Sequence, residues 1–441
     1  MVSIENAVKF IINFISNLVH FTEGSYLIVI ETIVIGGVLL IIFTALYRFF
    51  RLWWMDTIQT DYLKKLPWMS VEIKVPRENI KSPKSMEQVF ANIFGIYSFG
   101  LKPEEVVLEG KIEDWISAEI AASHNQIRFI FYFPTKDKNT VQSAIYGQYP
   151  EAEISETEDY TKILPPDLPN DEYDVFGADM ILGKKGLSNA LPMRTYTDFS
   201  GGATISRFRF DVEKIDPISG LLEAMANLKE GEHIWYQVLM QPYNSGDFKK
   251  ISEAYIKKIA YKTGDEIDPK TGKLKLIKKK DDELTAEEKD QIRAANAKAS
   301  KLVFRAIPRF VYIARKSIAD RGKFFALVSS FQIFSVGHLN FMRPDPTTFT
   351  KKPRFLFRDR TLFKKKKSVY RHFINRKFDM RSPLEQFYTP YLKDRVPEIS
   401  LWNVEELATI YHFPVTDVGA PGIVKTEAVK AEAPANLPIE E

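Results

Sequence analysis

The sequence predicts an α+β protein whose globular part follows a single membrane-crossing helix. Three observations predict it. One apolar run, Tyr26 to Tyr47, matches the roughly 20 residues that a helix needs to cross a bilayer. The rest of the chain, within a total of 441 residues that are 45% apolar, has an ordinary soluble composition. Short alternating segments there take turns with helical ones in one order, β-α-β-β-α-β.

The anchor comes first. Its only charge is Glu31, near the N-terminal end of the run. A cleaved signal peptide has a shorter apolar stretch and a small-residue cleavage site. The flank Arg48-Phe49-Phe50-Arg51-Leu52-Trp53-Trp54 offers no such site. Tyr26, Tyr47, Trp53 and Trp54 suit the headgroup layers, where an aromatic ring is half wet. Arg48, Arg51, Lys64 and Lys65 follow the run, while only Lys9 precedes it. Basic flanks stay on the cytoplasmic side, so a single-pass inner-membrane protein with a cytoplasmic body is expected. Before the run, Phe10, Ile11, Phe14, Ile15 and Leu18 share one helical face, which fits an interfacial helix. A second span over residues 7–21 is the alternative.

After the anchor, Asp56 to Pro67 reads as a short amphipathic helix. Val71 to Val75 alternates as a strand. Pro83-Lys84-Ser85 opens a helix with Met86, Val89, Phe90, Ile93 and Phe94 on its apolar face. Strands follow at Ile116–Ala122 and Ile127–Phe133, a helix at Lys136–Tyr149, and a strand at Ala152–Thr157. That order is the split βαβ, ferredoxin-like arrangement. A second copy is expected from strands at Met180–Leu182, Met193–Phe199, Ile234–Gln241, Val303–Ala314 and His338–Met342, with helices from Asp216 and over Ile318–Phe334. Pro308 requires an edge or a bulge in its strand. Tyr243 to Ser300 reads as an inserted helical hairpin with a flexible tip at Asp265–Lys280, and Thr285 to Glu288 has capping-box spacing.

The expected plan is an interfacial helix at 1–25, a transmembrane helix at 26–50 and a juxtamembrane linker at 51–68. Tandem ferredoxin-like domains follow at 69–165 and 166–345, the second with a helical insertion at 243–300. A basic segment and C-terminal helix occupy 346–414, and 415–441 is expected to be disordered.

Chemistry is sparse in the sequence. The chain has no cysteine, which excludes disulfides, cysteine-rich zinc sites and a cysteine nucleophile. Gly272-Lys273 lacks the spacing of a phosphate-cradling P-loop, and the six histidines form no ligand pattern. No catalytic, cofactor or metal residue is assigned. The net charge of +4 is uninformative, but its distribution is not. Lys351 to Lys377 interleaves aromatics with cations, including Arg354, Arg358, Arg360, Lys364, Lys365, Lys366, Lys367 and Arg371. Nucleic acid, anionic lipid and an acidic protein all fit such a segment.

Four stretches carry a resemblance. They are Glu78 to Phe90 (ENIKSPKSMEQVF), Ile145 to Pro150 (IYGQYP) with Glu158-Asp159-Tyr160, Glu232 to Val238 (EHIWYQV), and Glu405 to Pro414 (EELATIYHFP). Together they resemble the membrane-anchored N-terminal region of bacterial type IV secretion and conjugation ATPases, which are related to HerA/FtsK-like DNA pumps. The resemblance implies that Glu405, Leu407, His412 and Pro414 lie where a motor domain docks, and that Asn436-Leu437-Pro438 belongs to the linker. The family's ATP-binding residues have no counterpart here, so the resemblance implies a non-catalytic platform with a separate motor ATPase or secretion subunits as partner. It also implies DNA as a possible cargo and a ring-like homo-oligomer.

Overall fold

A computed structural model describes residues 9, 23–76, 81–97, 100–124, 126–183, 186–199, 216–267, 274–352, 358–376, 378 and 399–414. The expected interfacial helix (Lys9 apart), the Tyr26 side chain, Arg354 and the tail 415–441 lie outside them. The chain divides into two compact units. One is Met1–Asp61 with Arg381–Lys393, and the other is Tyr62–Met380 with Asp394–Glu441.

The described part of the first unit is helical. Helix α1 (Glu23–Lys65) runs for 43 residues, carries Lys64 and Lys65 in its last turn, and continues into the second unit. Its most apolar window has a mean hydropathy of 2.5, and none of that window is buried. By length and composition it can cross a membrane. The separate juxtamembrane helix expected from Asp56 is absent: α1 continues through it without a break. The reason is local, because Pro67 is the first helix breaker after the apolar run. Gly36 and Gly37 do not interrupt α1; in a bilayer an unbonded backbone would cost more than a glycine in a helix.

The second unit is built on a nine-stranded sheet in which every pairing is antiparallel. Its first half contains β1 (Trp68–Lys74), α2 (Pro83–Ile93), α3 (Pro103–Leu108), β2 (Ile116–Ser123), β3 (Gln126–Pro134), α4 (Lys138–Gln148) and β4 (Glu153–Glu156). Alternation on β3 sends Ile127, Phe129, Phe131 and Phe133 to one core and Ile130 to the other.

The second half contains β5 (Tyr173–Leu182), α5 (Tyr196–Phe199), α6 (Ser219–Ala226) and β6 (Glu232–Pro242). An insert follows: α7 (Ser245–Ala260), β7 (Tyr261–Ile267), β8 (Leu274–Lys278) and α8 (Ala286–Ala299). Then come β9 (Val303–Arg315), α9 (Arg321–Ser330), β10 (Met342–Pro344), α10 (Arg358–Asn375), β11 (Ser400–Asn403) and α11 (Val404–Ile410).

The sheet reads β10-β5-β9-β6-β2-β3-β1-β4, with β11 also on β9. Each half repeats one order, fourth, first, third, second, mirrored about the β6–β2 seam. That seam runs in register from Ile116↔Met240 to Ser123↔His233. One face of the sheet packs α2, α4, α6, α9 and α11. The other carries α10, through Val369, Tyr370 and Phe373.

Several expectations need correction. Met193–Phe199 is not a strand; Tyr196–Phe199 is a helical turn, and β5 begins at Tyr173. The strand expected at His338–Met342 is Met342–Pro344. The described tip of the insert is the β7–β8 ribbon, because alternating residues pair across it, while both flanks are helical as expected. The Thr285–Glu288 capping box forms, with reciprocal bonds of 3.0 and 3.1 Å. Pro308 sits in mid-sheet, neither at an edge nor in a bulge. On its side of β9, pairing to β5 stops at Arg309 and pairing to β11 stops at Ala306. Its missing N–H therefore falls at a gap in the ladder.

Gly177 on β5 sets how closely α10 approaches. A Cβ there would lie 2.6 Å from the Phe310 carbonyl oxygen and 2.7 Å from Val369 Cγ1. Gly177→Ala is expected to destabilise the body by about 1–3 kcal/mol, the usual cost of overpacking, read as a lower thermal midpoint. An unchanged midpoint would show that α10 does not seat on β5 this tightly.

Candidate functional site

The basic segment becomes α10, and its sequence divides the cations by face. Leu362, Lys366, Val369, Tyr370 and Phe373 are buried. Arg360, Lys364, Lys367 and Arg371 are exposed. Those four recur at spacings of four, three and four, which places them on the opposite face of a 3.6-residue helix. Arg358 is exposed at the first turn.

Two expected contact residues are redirected. Lys366 donates to both Asp174 carboxylate oxygens, at 2.6 and 2.7 Å, and lies 4.0 Å from the centre of the Phe176 ring. Burial lowers its pKa, and Asp174 opposes that shift. Lys365 is half-buried and donates to the Pro346 carbonyl at 2.8 Å. Neither ammonium faces an external anion, because each fills the needs of a backbone or carboxylate oxygen inside the body.

The residue that sequence reasoning missed is Arg376. It follows α10 in a left-handed conformation, φ 49°, and is 2% exposed. Its Nε and Nη2 donate to the two oxygens of buried Glu119 on β2, at 2.7 and 3.0 Å. Its Nη1 and Nη2 donate to Asp159, at 2.8 and 2.9 Å. Gln237 on β6 also donates to Glu119, at 2.8 Å, from across the seam. The guanidinium stacks 4.1 Å from the centre of the Tyr132 ring. Burial raises the Asp159 carboxyl, and Arg376 more than offsets this, holding it below its ordinary value. Only one signal in the sequence pointed here: Glu119 interrupts the otherwise small and apolar strand β2.

A second pair braces the same helix. Arg309 on β9 lies 3.1 Å from Asp179 on β5 and donates to the His372 carbonyl on α10 at 2.5 Å. Burial raises Asp179, and the Arg309 charge brings it below its ordinary value.

The C-terminal element is interior. Asn403 caps α11 in a capping box with Glu406. Glu406 also pairs with Lys298 of the insert at 3.0 Å, and both side chains are fully buried. Glu405 pairs with Lys301 and accepts from Thr195 at 2.7 Å. Lys301 reaches Glu87 on α2 at 3.0 Å. Leu407 is fully buried in the core. His412 contacts the Ala408 carbonyl through Nδ1 at 2.7 Å and Asp216 through Nε2 at 2.9 Å. Phe413 packs edge-on to Tyr149 and Phe129, and Pro414 is buried behind it. The expected docking side chains Leu407, His412 and Pro414 therefore hold the segment in the fold, and only Glu405 reaches partly toward solvent.

Of the residues expected to anchor the chain, Tyr47, Trp53 and Trp54 are exposed along α1, as are Arg51 and, in part, Arg48. Among the described residues, no group of three His, Asp or Glu is placed to hold a metal. No family model matches the chain, and a search of curated proteins gives no match.

Arg376→Met leaves Glu119 and Asp159 buried without their cation. Breaking such a pair costs about 3–5 kcal/mol, so denaturant melts of the detergent-extracted chain should shift by that order. Adding Glu119→Gln should recover part of the loss. Because the folded-state pKa of Asp159 is depressed, its contribution is complete above the ordinary value of 3.8 and is lost as pH falls through the lower folded value. An acid limb that Arg376→Met leaves unaltered would contradict this assignment.

Proposed function

We propose that the chain is a single-pass, membrane-tethered platform without catalysis of its own, which orients a partner motor ATPase of a type IV secretion-like or DNA-transfer system. The observation that carries this reading is the built-in C-terminal element. Glu406, Leu407 and His412 lock the segment into the core and fix where Pro414 leaves it. A partner engaged near that point is held in a set orientation. The resemblance of Glu405 to Pro414 to the element that precedes the motor in secretion ATPases supports the choice of partner.

Three further features support it. The repeated strand order in each half favours tandem ferredoxin-like units, with the insert at 243–300 in the second. A sheet continuous through both is stiff. Three pairs of buried charges meet one another, Glu119 with Arg376, Lys298 with Glu406 and Asp179 with Arg309, which suits a scaffold. Arg48, Arg51, Lys64 and Lys65 after the apolar run favour an inner-membrane anchor with the body in the cytoplasm.

The cysteine-free sequence makes site-directed labelling clean. Glu104→Cys, exposed at the start of α3, should react with an impermeant maleimide only after cell lysis. Reaction in intact cells would reverse the orientation. A photo-crosslinker at Val415 should capture an ATPase-domain protein in native membranes, and the purified chain should hydrolyse no ATP. Hydrolysis by the chain alone, or a captured partner without an ATPase domain, overturns the platform reading.

A further inference from the structure

Helix α10 presents its exposed cations as a single file. Arg360, Lys364, Lys367 and Arg371 lie on one narrow face, with about 4–6 Å of axial rise between neighbours and about 16 Å overall at 1.5 Å per residue. Among the described residues, no ion pair engages any of the four, and the helix's acidic residue, Asp359, is taken by Lys352 at 2.7 Å. The file cannot rotate to find partners within the body. Its opposite face is fixed by Lys366 on Asp174, by Val369 on Gly177 and by Arg376 on Glu119. Phe363, 51% exposed, flanks the cations on the open side.

The chemistry of this surface selects among anions. An amphipathic helix that docks on lipid inserts an apolar face below its cations. Here that face is already in the core, as Leu362, Val369, Tyr370 and Phe373 are buried. What remains is a regular row of charges with one exposed aromatic ring. Such a row tracks a repeating phosphodiester backbone, and an exposed ring stacks a base whatever its sequence. We infer that the exposed face of α10 is a binding site for single-stranded nucleic acid, with Arg360, Lys364, Lys367 and Arg371 on successive phosphates and Phe363 stacked on a base. The site stands independently of the docking role proposed above, so either can fail alone.

The test uses the detergent-purified full chain and a fluorescent oligothymidylate, read by anisotropy. Binding should weaken with salt, with a log–log slope of about −3 for four phosphate contacts on a single strand. Lys364→Ala with Lys367→Ala should reduce affinity at least tenfold and lower the slope. Both residues are exposed, so the thermal midpoint should stay unchanged. Phe363→Ala should weaken binding about fivefold or more without altering the slope. Lys249→Ala with Lys258→Ala, exposed on α7, serves as the control and should leave affinity intact. Absence of oligonucleotide binding, or equal loss in the control, overturns the inference. So does a result in which α10 substitutions abolish binding to phosphatidylserine vesicles while oligonucleotide binding is unaffected.

Discussion

A guanidinium with 2% exposure can persist only where its charge and its donors are met. Arg376 meets that condition by gripping Glu119 on β2 and Asp159 beyond β4. Much of the body follows from this contact. Glu119 lies on the strand that forms the seam between the two halves, and Gln237 reaches it from the other side of that seam. The end of α10 is thereby tied to both halves at once. Replacing such a pair by apolar groups is often neutral for stability, so its retention is better understood through geometry. It dictates where α10 ends and which face of α10 looks outward.

A related logic governs the opposite face of the sheet. Lys298 and Glu406 join the insert to the C-terminal helix with both charges fully buried. Lys301 links Glu405 to Glu87 on α2. Segments far apart in sequence, the first helix of the body, the end of the insert and the last helix, are held by one set of ion pairs. A scaffold that must present its surfaces at fixed angles gains from such cross-links, because each pair has one good geometry rather than many.

How much of this was legible in the sequence depends on where the deciding partner lies. β3 and β6 were readable because their apolar and β-branched runs need only local rules. β5 was readable only at its end, Met180–Leu182, because the pattern before it is broken by Asp174, Gly177 and Asp179. Each break has a distant cause: Lys366, Val369 and Arg309 respectively. The basic strip was visible as charge, yet composition cannot tell Lys366, which points inward, from Lys367, which points out. The turn of residues around Tyr196 was misread as a strand for a similar reason. Its backbone N–H is met by the Thr409 hydroxyl on α11, and its hydroxyl by Glu87. The long apolar helix was legible in existence and not in extent, since nothing before Pro67 stops it.

The central claim is that α10 is a fixed part of the body, oriented by buried charge. Hydrogen exchange of the detergent-solubilised chain tests it directly. Amides of α10 from Leu362 to Phe373 should exchange on the same slow timescale as the β2–β6 seam, since both then open only with the body. Rapid exchange throughout α10, with the seam still protected, would contradict the claim.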